Sequence, residues 1–216
     1  MRPIQQILAF VSEDDAGIAS AQTPAQNADL TLDGALASGG SVTLPVAAPV
    51  TLTSTDDFSA VTFTVTGTDA NGLPISEAIT GPDNETVTGT LSFLTITEIA
   101  TDAPSGLTTE TVSAGVPDVG LGTTAWWPLD IYVPNQVTTI SANILSGTAT
   151  YTVEYTNEDP FDTSITQLAV NHPVATLVGA STDQTGFTTT LMRAVRFNVA
   201  SGDGKIRATV VQQSTQ

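Results

Sequence analysis

The sequence predicts an all-β chain: two antiparallel β-sandwich or barrel-like domains with an extended N-terminal arm. Three observations carry that expectation. Apolar and polar residues alternate with period two in short runs, most clearly where Val61, Phe63 and Val65 alternate with Thr62, Thr64 and Thr66. Such a run gives a strand one apolar face and one hydroxyl face. Turn-forming residues recur about every 8 to 12 positions, the rhythm of a sandwich or barrel. No long window carries an apolar stripe of helical period.

The elements follow in order. Residues 1–27 read as an arm: Ala16-Gly-Ile-Ala-Ser-Ala-Gln-Thr-Pro-Ala-Gln26 is small, polar and without periodicity. Two readings stand for it, a disordered terminus and a segment that orders on a neighbouring subunit. Ile4, Ile7, Leu8, Phe10 and Val11 favour the second, because disordered tails rarely hold so many apolar residues. The first β domain spans 28–116. It opens with Leu30–Leu32, Val42–Leu44 and Val50–Leu52, then the hairpin Val61–Thr80. Asp69-Ala-Asn-Gly72 supplies the hairpin turn, and Gly72 is expected at positive φ. Pro74 begins the second arm, where a missing N–H does least harm. Thr86–Thr88, Leu91–Ile99 and Thr108–Val112 complete this half.

Gly115-Val-Pro-Asp-Val-Gly-Leu-Gly122, with its three glycines and a proline, reads as the boundary. The second β domain spans 123–216. Its expected strands are Leu129–Val133, Val137–Ile144 and Gly147–Thr156, the last with Ala149, Tyr151, Val153 and Tyr155 on one face. Asn157–Gly186 is long and irregular. Met192–Val199 turns at Ser201–Gly204 into Lys205–Val211, a second hairpin by pattern. Pairing across that turn would bring Arg196 near Arg207.

Charge narrows the function classes. The net charge is −17, yet only 12% of residues are charged, against about 25% in a typical domain. Threonine replaces charge on the strand surfaces, which suits a protein that packs against neighbours. Arg193, Arg196, Lys205 and Arg207 all follow residue 192, where Asp203 is the one acid, so the last 24 residues carry +3 and the rest −20. An acidic body of this kind is a poor nucleic-acid partner. The basic end reads either as solvated strand charges or as a docking edge for an acidic neighbour, such as another copy. There is no cysteine, hence no disulfide or thiol chemistry. The apolar run Ile7–Val11 is too short for a secretory core or a membrane span, so the expectation is a protein used without export or membrane contact.

Catalytic constellations are absent from the pattern. His172, the single histidine, precedes Pro173 and reads as a loop residue, with no sign of an orienting carboxylate or a nearby nucleophile. The acidic clusters Glu13–Asp15, Asp56–Asp57, Asp83–Glu85 and Asn157–Asp162 lack calcium-loop spacing and read as solvated turns. Trp126-Trp127 reads as an apolar plug between the halves, with a carbohydrate platform as the rival. No catalytic, metal or cofactor-binding residue is expected, and the chain is expected not to be an enzyme.

One stretch resembles a known group. Leu52-Thr-Ser-Thr-Asp-Asp-Phe-Ser-Ala-Val-Thr-Phe-Thr-Val-Thr-Gly-Thr-Asp-Ala-Asn-Gly72, then Ile75-Ser-Glu-Ala-Ile-Thr-Gly-Pro82 and Phe93–Ile99, is similar to a pattern in tailed-bacteriophage virion proteins. Asp15–Pro24 before Leu30-Thr-Leu-Asp-Gly34 looks like the same family's start, and Leu191–Val211 is similar to its closing hairpin. The resemblance implies a structural component of a phage particle, of the head decoration or cement type. Such a protein is made in the bacterial cytoplasm and sits on the virion head. It forms a homo-oligomer, expected here as a trimer, and bridges major capsid proteins. A neck, tail-tube or fibre-adaptor protein is the alternative, and a carbohydrate-binding module a third. The expected interaction residues are Ile4, Ile7, Leu8, Phe10, Val11, Arg193, Arg196, Lys205 and Arg207.

Overall fold

The computed structural model describes residues 3–132 and 136–214. The chain is predominantly β-strand, 55%, arranged in four antiparallel sheets. These fall into two compact units. One is the continuous segment Val11–Val119; the other joins the chain up to Phe10 with the chain from Gly120 onward.

Strand β1 (Ile4–Phe10) belongs to the second of these units. Strands β2 (Asp14–Gln22), β3 (Ala37–Ser38), β4 (Ser41–Ala48), β5 (Thr51–Thr53) and β6 (Thr62–Thr68) lie in the inserted unit, with β7 (Pro74–Thr80), β8 (Thr86–Thr88), β9 (Phe93–Thr101) and β10 (Val112–Val116). They form two sheets, ordered β2-β10-β5-β8 and β3-β4-β9-β6-β7. Ile18, Leu52 and Val112 from the first sheet share one core with Leu44, Phe63, Phe93 and Ile99 from the second.

The hairpin expected at Val61–Thr80 is present. Thr62 aligns with Thr80 and Thr68 with Pro74, without a register shift. Phe63 and Val65 are buried, as their alternation requires. Gly72 has φ +79°, the positive value expected. The Asp69 carboxylate holds the turn by accepting the N–H of Asn71 at 2.8 Å and of Leu73 at 2.9 Å. These bonds, led by the one from Leu73, keep its carboxyl below the usual range. Strand β6 also pairs with β9, where the ladder shifts between Thr66 and Gly67. A Cβ on Gly67 would lie 1.9 Å from the Thr95 carbonyl oxygen, so only glycine fits there.

The other unit contains β11 (Gly122–Thr123), β12 (Trp127–Pro128), β13 (Gln136–Gly147), β14 (Thr150–Thr156), β15 (Val170–Asn171), β16 (Gln184–Thr188), β17 (Ala194–Ser201) and β18 (Gly204–Ser214). A 3-10 turn spans Ala175–Leu177. The sheets are ordered β1-β18-β13-β16 and β11-β17-β14-β15, with β12 also on β17. Leu8, Phe10, Ile140 and Ile206 from the first meet Trp127, Tyr151, Val153 and Phe197 from the second in one core.

Three expectations change here. Residues 1–27 do not form an arm over their described length. Residues 4–10 are β1, paired with β18 from Ile4↔Val210 to Phe10↔Gly204, and Asp14–Gln22 is β2. Leu8 and Phe10 recur at period two, so one face of β1 is apolar and enters the core; burying each side chain contributes about 1.5–3 kcal/mol. The division at 28–116 and 123–216 changes with it: the first β unit begins at Val11, and the second takes back β1. The boundary between them, at Val119 and Gly120, does fall inside the predicted glycine-rich stretch. Lastly, Leu129–Tyr132 forms no strand; Val133, the end of the strand expected there, lies outside the described residues.

The C-terminal hairpin is also different. Strands β17 and β18 do not pair with each other; they lie in different sheets, as do β13 and β14. Instead β13 pairs with β18 as far as Gly147↔Gly204, and β14 with β17 from Thr150↔Ser201. The two runs therefore bend together from one sheet to the other. Backbone packs on backbone at the bend: a Cβ on Gly147 (φ +67°) would sit 1.7 Å from the Asp203 carbonyl oxygen. The Thr148 N–H donates to that same oxygen at 3.1 Å. Arg196 and Arg207 are consequently not cross-strand neighbours.

Candidate interaction surface

The expected interaction residues divide into three groups. Leu8 and Phe10 are core residues of the unit that contains β1, with Ile4 packed at its margin. Val11 is a core residue of the inserted unit, and it exchanges backbone hydrogen bonds of 2.9 Å with Val119. None of these four presents an open side chain for an arm to dock with. Ile7 does, at 55% exposure.

Two of the four cations are neutralised internally. Arg193 Nη2 lies 3.1 Å from Asp159 Oδ2. Arg196 Nε donates to Glu154 Oε2 at 2.6 Å, with only 22% and 13% of the two side chains exposed. Its guanidinium also lies 4.4 Å from the centroid of the Trp126 ring, a cation–π contact that shields the pair from water. Asn198 Nδ2 adds a bond of 3.4 Å to Glu154 Oε1. Register explains the grouping, since Glu154 on β14 stands directly opposite Arg196 on β17.

Lys205 and Arg207 are different. Ile206, Ala208 and Val210 of β18 point into the core, so Lys205 and Arg207 project from the opposite face. Neither makes an ion pair with a described residue. Arg207 aligns with Ile7 on one side and Asn143 on the other, and Lys205 aligns with Ala9. The structure thus brings Ile7, Lys205 and Arg207 together on one sheet face.

Trp127 is buried in the core of its own unit, 5.4 Å from Phe197 between ring centroids, so it is not a plug between halves. Trp126 covers Arg196 instead. His172 is buried. Its N–H donates to the Val153 carbonyl oxygen at 2.9 Å, and its Nδ1 accepts the Val174 N–H at 3.2 Å. Burial pushes its pKa down to about 4, so the ring is neutral at pH 7. Nε2 has no hydrogen-bond partner. No carboxylate or nucleophile is bonded to it, and among the described residues no group of three or more acids or histidines is placed to hold a metal.

Sequence reasoning missed three exposed aromatic residues. Tyr132, Phe161 and Phe187 are 88%, 75% and 72% exposed. Tyr132 and Phe161 line a cleft of about 200 Å³ with Pro128, Pro160 and the Arg193–Asp159 pair. For Phe161, in the irregular stretch around Pro160, the available signal was that an apolar residue outside a strand has no assured core position; Tyr132 was expected on a strand. Nearly all the exposed large apolar residues belong to this unit; Leu73 and Leu91 are those of the inserted unit. Charge is divided the other way. The inserted unit holds fifteen Asp and Glu and no Lys or Arg, net −15, whereas the other holds seven acids and five cations, net −2.

The fold and surface define an acidic, predominantly β-strand protein in which the cations and most of the exposed large apolar residues among those described belong to one unit. No family model, curated protein or solved structure matches the chain.

Proposed function

We propose that the protein is a structural component of a tailed-phage particle, a capsid decoration or cement protein that bridges major capsid proteins on the head. In this reading each unit is a β-sandwich, its two sheets closing on the single core that they share. The observation that carries the reading is the division of surface chemistry between the units. An inserted unit of −15 without a cation repels its own copies and stays in water. The near-neutral unit carries exposed aromatic residues and cations, the residue types that anchor protein interfaces. One unit is suited to docking and the other to solvent. The pattern over Thr51–Ile99 supports the phage assignment. The protein assembles as a homo-oligomer, a trimer in this reading, and its role is architectural rather than catalytic.

Quantitative mass spectrometry of purified particles tests the proposal. A copy number comparable with that of the major capsid protein is the expected result. A copy number matching a single ring would move the protein to the neck or tail. Absence from particles would overturn the reading altogether.

A further inference from the structure

We propose that β1 is a docking edge. An extended segment of another polypeptide, alternating acidic with small apolar residues, adds to β1 as a further strand and sets its carboxylates against Lys205 and Arg207. This rests on the docking unit proposed above and names its partner chemistry.

The first observation is the edge itself. Edge strands expose unpaired N–H and C=O groups, and proteins guard them with shortness, bulges, proline or charge. Among the described residues the other sheet edges carry such guards. β3, β8, β11 and β15 have only two or three residues. β2 begins with Asp14-Asp15 and its ladder shifts twice. β7 begins with Pro74 and bears Glu77. β16 is five residues long and is weakened at its centre by Gly186. β1 is seven residues long, uncharged, free of proline and unshifted against β18. No described strand pairs with its other side.

The second observation is the space beside that edge. Gln6–Ala9 line one part of a cleft of about 350 Å³ and Gly120–Thr124 another, and Val199 completes the lining. No charged residue lines it. The two parts converge at Gly120, where a Cβ would stand 2.3 Å from the Ala9 carbonyl oxygen, so the cleft opens toward the start of β1. Side chains of an added strand alternate in direction. One set enters this uncharged cleft, where Ile7, Leu8, Leu121 and Val199 suit small apolar residues such as valine.

The third observation fixes the other set. On the face away from the core, the residues between the edge and the cations are Ile7 beside Arg207 and Ala9 beside Lys205. An added strand would lie two strand spacings from β18, about 10 Å, and the methyl group of Ala9 leaves the Lys205 side chain a clear path. Lys205 and Arg207 are the described cations that make no ion pair with a described residue, in a chain of net −17. Carboxylates at the outward positions of the added strand complement them. Main-chain bonds would supply affinity and the alternating side chains specificity.

The test uses the full chain and two fluorescein-labelled peptides of β1's length. One alternates valine with aspartate; the other has lysine in place of each aspartate. Fluorescence anisotropy measures binding, and hydrogen exchange reports on the amides of β1. The aspartate peptide should bind at least tenfold more tightly, protect Gln5–Leu8, and lose its affinity when fully N-methylated. Lys205→Gln with Arg207→Gln should weaken it about tenfold and flatten its salt dependence. Those substitutions break no ion pair with a described residue and alter the face of β18 away from the core; an unchanged thermal melt checks that the fold is retained. Equal binding of the lysine or N-methylated peptide, or binding without protection of β1, overturns the inference. So does a concentration-dependent dimer of the chain alone that protects β1 against the peptide, which would make the occupant a second copy. Particles separate the two proposals. A double variant retained on particles as well as the unaltered chain overturns this inference alone, whereas failure of the unaltered chain to join particles overturns the particle reading.

Discussion

Replacing Phe10 with alanine tests whether the N-terminal segment is part of a core. Phe10 is fully buried at the end of β1 and packs in the same cluster as Trp127, Tyr151 and Phe197. Truncating a buried phenylalanine removes its transfer energy and leaves a cavity, costing about 3–5 kcal/mol. That is a large share of the roughly 5–15 kcal/mol that holds a domain together. Both tryptophans, Trp126 and Trp127, lie in the unit that contains β1, so tryptophan fluorescence reports on that unit alone. With a urea m-value of about 2 kcal/mol/M, the fluorescence midpoint should fall by about 2 M. Ile7→Ala, at an exposed position of the same strand, should move it by only a few tenths of a molar unit. A Phe10→Ala midpoint as small in its displacement as that of Ile7→Ala would refute the placement of β1 and restore the arm.

Further predictions concern single interactions. Gly72→Val should destabilise the inserted unit by about 1–3 kcal/mol through backbone strain at positive φ, since open space surrounds the position where a Cβ would stand. Gly72→Asn should recover most of that loss in a thermal melt. Arg196→Gln leaves the Glu154 carboxylate half-buried without its cation and should cost about 1.5–3 kcal/mol; adding Glu154→Gln should restore part of it, which a double-mutant cycle measures. The His172 pKa is depressed to about 4 in the folded chain, so between pH 4 and about 6.5 the unfolded chain binds the extra proton. Stability from this group is complete above about pH 6.5 and is lost as pH falls toward 4, by up to about 3 kcal/mol. The fall in melting temperature over that range should be shallower in His172→Gln, and equal slopes would refute the role of its burial.

Features that depend on neighbours along the chain were legible before folding. Alternation at Val61–Thr66 made a strand and chose its buried face, and the chemistry of Asp69 and Gly72 made its turn. The acidic body and the cationic end were equally visible, because charge is a property of composition. Tertiary structure decided which strands meet. Backbone hydrogen bonds are the same for every residue, so nothing in Ile4–Phe10 names a partner some two hundred residues away. The glycines at 202 and 204 signalled a reversal, yet a chain can reverse onto its neighbour or cross to another sheet with the same residues. Crossing separated Arg196 from Arg207 and gave Arg196 to Glu154, while Lys205 and Arg207 were left on an open face. The interaction surface was therefore only half legible. Its residues could be named from the sequence, but their distribution between core, ion pair and solvent was settled by burial and pairing, which are collective properties of the folded chain.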